Sequence, residues 1–153
     1  MVAFTLNGAP ASVDLPDTTA LLHALRGPLG LSGPRFGCGA EQCGACVVLV
    51  DGVPANACTL ALAAVAGRGV TTVEGLGTPD APHPLQHAFL AEQAGQCGFC
   101  LSGILVAAAA LLARDPDPDD AAIRAALDPH LCRCGSHNRI IRAVKRAGAE
   151  MRA

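Results

Sequence analysis

The eight cysteines fall into two groups of four, and their spacing is the strongest chemical signal in the 153 residues. Cys38, Cys43, Cys46 and Cys58 follow the pattern C-x4-C-x2-C-x11-C. Three ligands from one tight loop and a fourth from a later strand is the plant-type arrangement for a [2Fe–2S] cluster. Gly37, Gly39 and Gly44 flank these cysteines, and residues without Cβ allow backbone N–H groups to turn toward sulfur. Hydrogen bonds of that kind stabilise the added electron of a reduced cluster and tune its potential. Four thiolates also suit zinc. Zinc sites, however, usually set two short C-x-x-C knuckles far apart, not three ligands in one glycine-rich loop.

Cys97, Cys100, Cys132 and Cys134 form the second group, C-x2-C and C-x1-C with 31 residues between them. Taken alone, this group suits zinc as readily as iron and sulfur. An electron-carrying site in the same chain weights it toward a second [2Fe–2S] cluster, because a redox centre gives the electron a destination and zinc does not. Each pair precedes a helical stretch. Two helix N-termini are therefore expected at one centre, where their dipoles favour thiolate and a negatively charged cluster.

Little else in the sequence could do chemistry. Five histidines are present (His23, His83, His87, His130, His137), but both cysteine groups are complete without a Rieske-type histidine pair. His83 and His87 are four apart and could share a helix face with a metal, though such histidines are more often packing or surface residues. Gly75-Leu76-Gly77 does not continue as G-x-G-x-x-G, and Gly27–Gly44 lacks the Gly-Lys-Ser/Thr of a P-loop. No nucleophile or acid–base pair emerges, so substrate chemistry belongs on another chain.

The elements that must hold these groups can be read in outline. Asn7-Gly8 and Asp51-Gly52 are hairpin turns between alternating stretches, Val2–Leu6 with Ala9–Leu15 and Val47–Val50 with Val53–Thr59. Asp17 or Thr18 can cap a helix through Thr19–Arg26, and Val70–Val73 offers a further strand. Gly and Pro cluster over Gly75–Pro84, the expected linker. Beyond it the sequence reads as helices over Pro84–Ala94, Cys100–Arg114, Pro118–Leu127 (capped by Asp117) and His137–Arg152 (capped by Ser136). The expected fold class is α+β: an α+β domain over residues 1–76, then an all-α domain over 77–153.

Hydrophobic residues make up 51% of the chain but aromatics only 3%, with no Trp or Tyr. The core must therefore be built from Ala, Leu and Val. Charged residues are 16%, below the roughly one quarter usual for soluble domains, which leaves apolar surface for a partner to cover. A net charge of −2 gives no basis for binding nucleic acid. The start, MVAFTLNGAP, has no basic or apolar leader region, and no apolar run approaches the length of a bilayer-spanning helix. Without export, reduced thiols and metal ligation are expected rather than disulfides. Arg139, Arg142, Lys145 and Arg146 on the last helix could dock an acidic partner, or simply form a solvated cationic face.

Three segments then stand together: Gly37-Cys38-Gly39 through Gln42-Cys43-Gly44-Ala45-Cys46, Gln96-Cys97-Gly98-Phe99-Cys100, and Leu131-Cys132-Arg133-Cys134-Gly135. With Thr72-Val73-Glu74-Gly75-Leu76 at the junction, they resemble the small iron–sulfur subunits of the xanthine oxidase family of molybdenum hydroxylases. Within it the chain is most similar to the small subunits of nicotinate dehydrogenase and isoquinoline oxidoreductase. The resemblance implies a β-grasp ferredoxin domain joined to a four-helix-bundle domain, two [2Fe–2S] clusters, and a large partner subunit carrying molybdopterin cytosine dinucleotide with molybdenum. It implies that Gln96 and Cys134 face the pterin, and that electrons leave from the plant-type cluster toward a cytochrome or an FAD subunit. N-heteroaromatics such as nicotinate lead as substrates, aldehydes follow, and assembly is expected in the cytoplasm, with export of a folded complex also open. Ser136 and His137 stand where this branch commonly has Thr and Tyr. A free two-cluster ferredoxin and a zinc-stabilised binding module are the other readings of the same residues.

Overall fold

The computed structural model describes residues 1–153. Five strands form one mixed sheet: β1 (Val2–Leu6), β2 (Ala9–Val13), β3 (Val47–Val50), β4 (Val53–Asn56) and β5 (Gly69–Thr71), in the order β2-β1-β5-β3-β4. Both expected hairpins form, with Leu6 opposite Ala9 and Val50 opposite Val53. Their two-residue turns have positive φ at both positions, 50° and 83° at Asn7-Gly8 and 49° and 82° at Asp51-Gly52. That is the geometry matching the twist of paired strands. Pro10 and Pro54 lie on the two edge strands, where a missing N–H costs no ladder bond.

The interior strand β3 is buried on both faces. Val48 and Val50 belong to a core shared with the helix α1 (Leu21–Arg26) and the 3₁₀ turn Leu62–Val65, whereas Val47 and Leu49 meet Val106 on the far side. Alternate side chains on a strand point to opposite faces, so four consecutive apolar residues fasten two layers at once. Val106 lies in α3 (Leu101–Arg114), which runs across the sheet and joins α2 (Pro84–Ala91), α4 (Asp120–Leu127) and α5 (His137–Arg152) in a second, wholly helical core. Leu85, Ile104, Ile123, Ile140 and Val144 are among its fully buried members. The architecture is α+β, five strands and five α-helices around two apolar cores.

Several boundaries differ from the sequence reading. The first helix begins at Leu21, not Thr19, and neither Asp17 nor Thr18 caps it. Its first free N–H groups instead meet the carbonyls of Leu60 (2.7 Å) and Ala57 (2.8 Å), so tertiary backbone replaces the side-chain cap. The fourth helix starts at Asp120. Asp119 caps it by accepting from Ala122 N at 2.7 Å, while Asp117 pairs with Arg152 at 2.9 Å. The second helix stops at Ala91 because Gln93 adopts a left-handed conformation, φ 49°. The strands β2 and β4 end two and three residues early, and Val73 begins a 3₁₀ turn rather than ending β5.

Candidate metal centres

All eight cysteines are free thiols. In the first group the chain leaves α1 through an irregular stretch over 27–46, and β3 and β4 then carry Cys58 back toward it. Cys38 neighbours Cys43, and Cys46 neighbours both Cys58 and Cys43. A Cβ at Gly37 would stand 2.6 Å from Cys43 Sγ, so that position has no room for a side chain. The backbone N–H groups of Ala40 and Gln42 donate to Cys38 Sγ at 3.3 and 3.2 Å. These bonds draw the Cys38 thiol down to about 7, whereas burial pushes Cys46 up to about 12.

The second group repeats the scheme at two helix starts. Cys97 and Cys100 precede α3, and Cys132 and Cys134 precede α5. Cys97 neighbours Cys134 and Cys132, and Cys100 neighbours Cys132 and Cys97. The Phe99 N–H donates to Cys97 Sγ at 3.5 Å and lowers that thiol, while burial pushes Cys100 up to about 12. Burial raises Cys132, but hydrogen bonding from the Ser136 N–H, together with that from Cys100 and the Cys134 N–H, outweighs it and gives a net lowering. Ser136 does occupy the N-cap of α5, yet it makes no side-chain cap bond there. The side-chain cap expected from the sequence is not formed.

No three His, Cys, Asp or Glu side chains converge on a single point closely enough for one ion. A lone tetrahedral zinc needs all four sulfurs at one centre, whereas a [2Fe–2S] cluster spreads four thiolates over two irons. The N–H donors on sulfur fit a group that becomes more negative on reduction. The buried thiols give up their protons when metal binds.

The two centres adjoin. One cavity of about 430 Å³ is lined by Cys38, Cys43, Cys97 and Cys100 together. Leu131 N donates to Cys43 O at 3.0 Å, and Ser102 Oγ to Ala45 O at 3.4 Å. Gly44 has φ 72° and carries the buried His130 imidazole where a Cβ would project. Gly103 lies against the Gly44 carbonyl. Sequence reasoning did not single out His130, Gly103 or Arg35 as parts of this junction, since their partners are remote in the chain.

Gln96 and Cys134, expected to face one partner group, are brought together: Gln96 Nε2 donates to Cys134 O at 3.3 Å. His83 is a helix cap. Its Nδ1 accepts from Leu85 N at 3.1 Å while Gln86 Oε1 accepts from His83 N at 2.9 Å, and burial lowers its pKa, keeping the ring neutral. His87 instead faces Glu150 at 3.5 Å. On α5, Arg142 and Arg146 pair with Glu92 and Lys145 with Asp120. The cationic face is thus largely neutralised within the chain.

Residues 4–69 match the family described as 2Fe-2S iron-sulfur cluster binding domain, and residues 72–145 the [2Fe-2S] binding domain. One component of the nicotinate dehydrogenase of Pseudomonas putida is 50% identical over 99% of this chain and 96% of its own length. The alpha chain of the isoquinoline 1-oxidoreductase of Brevundimonas diminuta is 49% identical over 98% of this chain and 99% of its own. Among solved structures, the aldehyde oxidoreductase of Desulfovibrio desulfuricans superposes with TM-score 0.95 at 38% identity, covering 99% of this chain and 17% of that one. Quinoline 2-oxidoreductase of Pseudomonas putida superposes with TM-score 0.93 at 36% identity, over 97% of this chain and 93% of that one. Two groups of four cysteines in one fold, matched over nearly the full length by these relatives, place the chain in the family of small [2Fe–2S] iron–sulfur subunits of the xanthine oxidase-type molybdenum hydroxylases.

Proposed function

We propose that Cys38, Cys43, Cys46 and Cys58 hold one [2Fe–2S] cluster, and Cys97, Cys100, Cys132 and Cys134 a second. Each cluster, when bound, accepts and releases one electron. The observation that carries this reading is that each group of four lies within one matched [2Fe–2S] domain, with backbone N–H donors on the Cys38 and Cys97 sulfurs. Residues 1–76 then form a β-grasp ferredoxin-like domain and residues 77–153 a four-helix-bundle domain. The two separate cores support that division, with Val73 and Leu76 packing back on the helical side.

In this reading the chain passes electrons from a molybdenum-bearing large subunit to a cytochrome c or FAD subunit. Gln96 and Cys134 face the molybdopterin cytosine dinucleotide of the large subunit. Their support is position: Gln96 borders a surface groove of about 970 Å³, lined also by Gln86, Gln93, Leu90 and Arg139. Leu90, 78% exposed, is an apolar side chain that a partner would cover. The amide of Gln96, at the groove, donates to the Cys134 carbonyl and so ties that cysteine's backbone to it. An N-heteroaromatic such as nicotinate is the proposed substrate class and an aldehyde the second, by likeness to the relatives. Assembly is proposed in the cytoplasm. No helix is long and apolar enough to cross a membrane.

Affinity-purified chain from native extract tests the proposal. Co-elution with a larger chain that contains molybdenum supports it. Elution alone, with iron bound, would identify a free two-cluster carrier instead.

A further inference from the structure

Arg35 lies just before the first cysteine group and reaches the second. Its backbone N–H donates to Ala45 O at 3.1 Å, inside the Cys43–Cys46 loop. Its guanidinium Nη1 donates to Gly98 O at 3.0 Å, between Cys97 and Cys100, across 63 residues of sequence. The same guanidinium stands over the Phe99 ring, 5.4 Å from its centroid. Arginine alone combines a planar stacking surface with donors in a fixed fork, and this one uses both on a single four-residue loop. None of the chain's ion pairs involves it. A permanent, half-buried positive charge with no carboxylate partner therefore sits against the Cys97–Cys100 loop.

We infer that Arg35 is a positioning residue for electron transfer between the two centres: it ties the Cys97–Cys100 loop to the first cysteine loop and biases the electron toward the second centre. The inference rests on the reading that both cysteine groups hold clusters. The transfer it serves moves one electron between the centres, with no bond made or broken and no proton moved. A reduced centre carries one more negative charge than an oxidised one, so a nearby fixed cation favours the reduced form. The guanidinium bonds to Gly98 O and stacks on Phe99, both inside the Cys97–Cys100 loop, whereas only the Arg35 backbone N–H bonds within the first cysteine loop, so the charge acts chiefly on the second group.

The test is redox-poised electron paramagnetic resonance on the complete iron-loaded chain, comparing wild type with Arg35→Gln and Arg35→Lys. In half-reduced protein, R35Q should shift the distribution of electrons between the two signals about tenfold toward the first centre, equivalent to about 59 mV for a one-electron couple. R35K, which restores the charge, should return most of that shift. Arg35→Met keeps the stem on Phe99 and serves as a second neutral variant if R35Q loses iron. An unchanged ratio with both signals present overturns the inference and leaves the cluster reading intact. So does an R35Q shift that R35K does not reverse, or loss of iron from both neutral variants, since the role is then only structural. A wild-type chain without two signals removes the cluster reading and the inference with it.

Discussion

Replacing Gly103 by alanine sets helix propensity against packing. Gly103 is the third residue of the fourteen-residue helix α3, and in a helix interior Gly→Ala stabilises by about 1 kcal/mol on propensity alone. A Cβ there, however, falls well inside contact distance of the Gly44 carbonyl oxygen, and 3.0 Å from its carbonyl carbon. Overpacking costs about 1–3 kcal/mol, and the struck atoms are backbone, so no rotamer change relieves the clash. They also sit between Cys43 and Cys46, where the loop is held by Ser102 Oγ on Ala45 O. The upper part of the range applies, and G103A should lose about 2 kcal/mol net, a fall of roughly 4–8 °C in Tm for a chain of this size. Thermal unfolding of the iron-loaded chain followed by circular dichroism measures this. Gly148→Ala is the control, because its Cβ would meet Pro116 O at 3.1 Å and Leu112 Cδ2 at 3.2 Å, contacts that yield by a few tenths of an ångström. G148A should stay within about 1 kcal/mol of wild type. A G103A chain as stable as wild type would refute the claim that α3 and the first cysteine loop are in direct backbone contact.

Val106→Ala removes two methyl groups from the fully buried contact with Val47 and Leu49, and should cost about 2 kcal/mol in chemical denaturation. His83 has a lowered pKa because burial disfavours its charged form, so the capping bond from Leu85 N contributes fully above the ordinary histidine value and its contribution is lost as pH falls from there through the lowered folded value. His83→Ala should therefore destabilise by about 1 kcal/mol at pH 8 and by less at pH 5, whereas His83→Asn should keep a cap at both. Equal H83A losses at the two pH values would contradict this assignment. Glu92→Ala breaks the pairs with Arg142 and Arg146, which are partly exposed, so the loss should stay under about 1 kcal/mol and shrink in high salt.

Cys38, Cys43 and Cys46 are close by spacing alone, since three sulfurs on one short loop must be, whereas Cys132 and Cys134 reach Cys97 and Cys100 only through the packing of the helices. The hairpins were legible from local sequence too, since Asn7-Gly8 and Asp51-Gly52 adopt the required positive φ by themselves. The start of α1 was not, because its free N–H groups are met by Leu60 and Ala57, far on in the sequence. Asp117 and Asp119 offer the same capping chemistry, and the choice between them depends on Arg152 arriving beside Asp117. Gly103 in a sequence is only a weak helix former. Its purpose appears when α3 meets the Gly44 carbonyl. The cationic residues of α5 look like a docking face until Glu92 and Asp120 are packed against them. Arg35 was hidden by the same limit, its partner Gly98 lying in the other half of the chain.

The central claim is that each group of four thiols grips a pair of sulfide-bridged irons. Iron and acid-labile sulfide determined on the same purified, anaerobically prepared chain, with paramagnetic resonance after full reduction, tests it most directly. About four irons and four sulfides per chain, giving two distinguishable signals, are predicted. Stoichiometric zinc in either group, or half that iron and sulfide with a single signal, would contradict it.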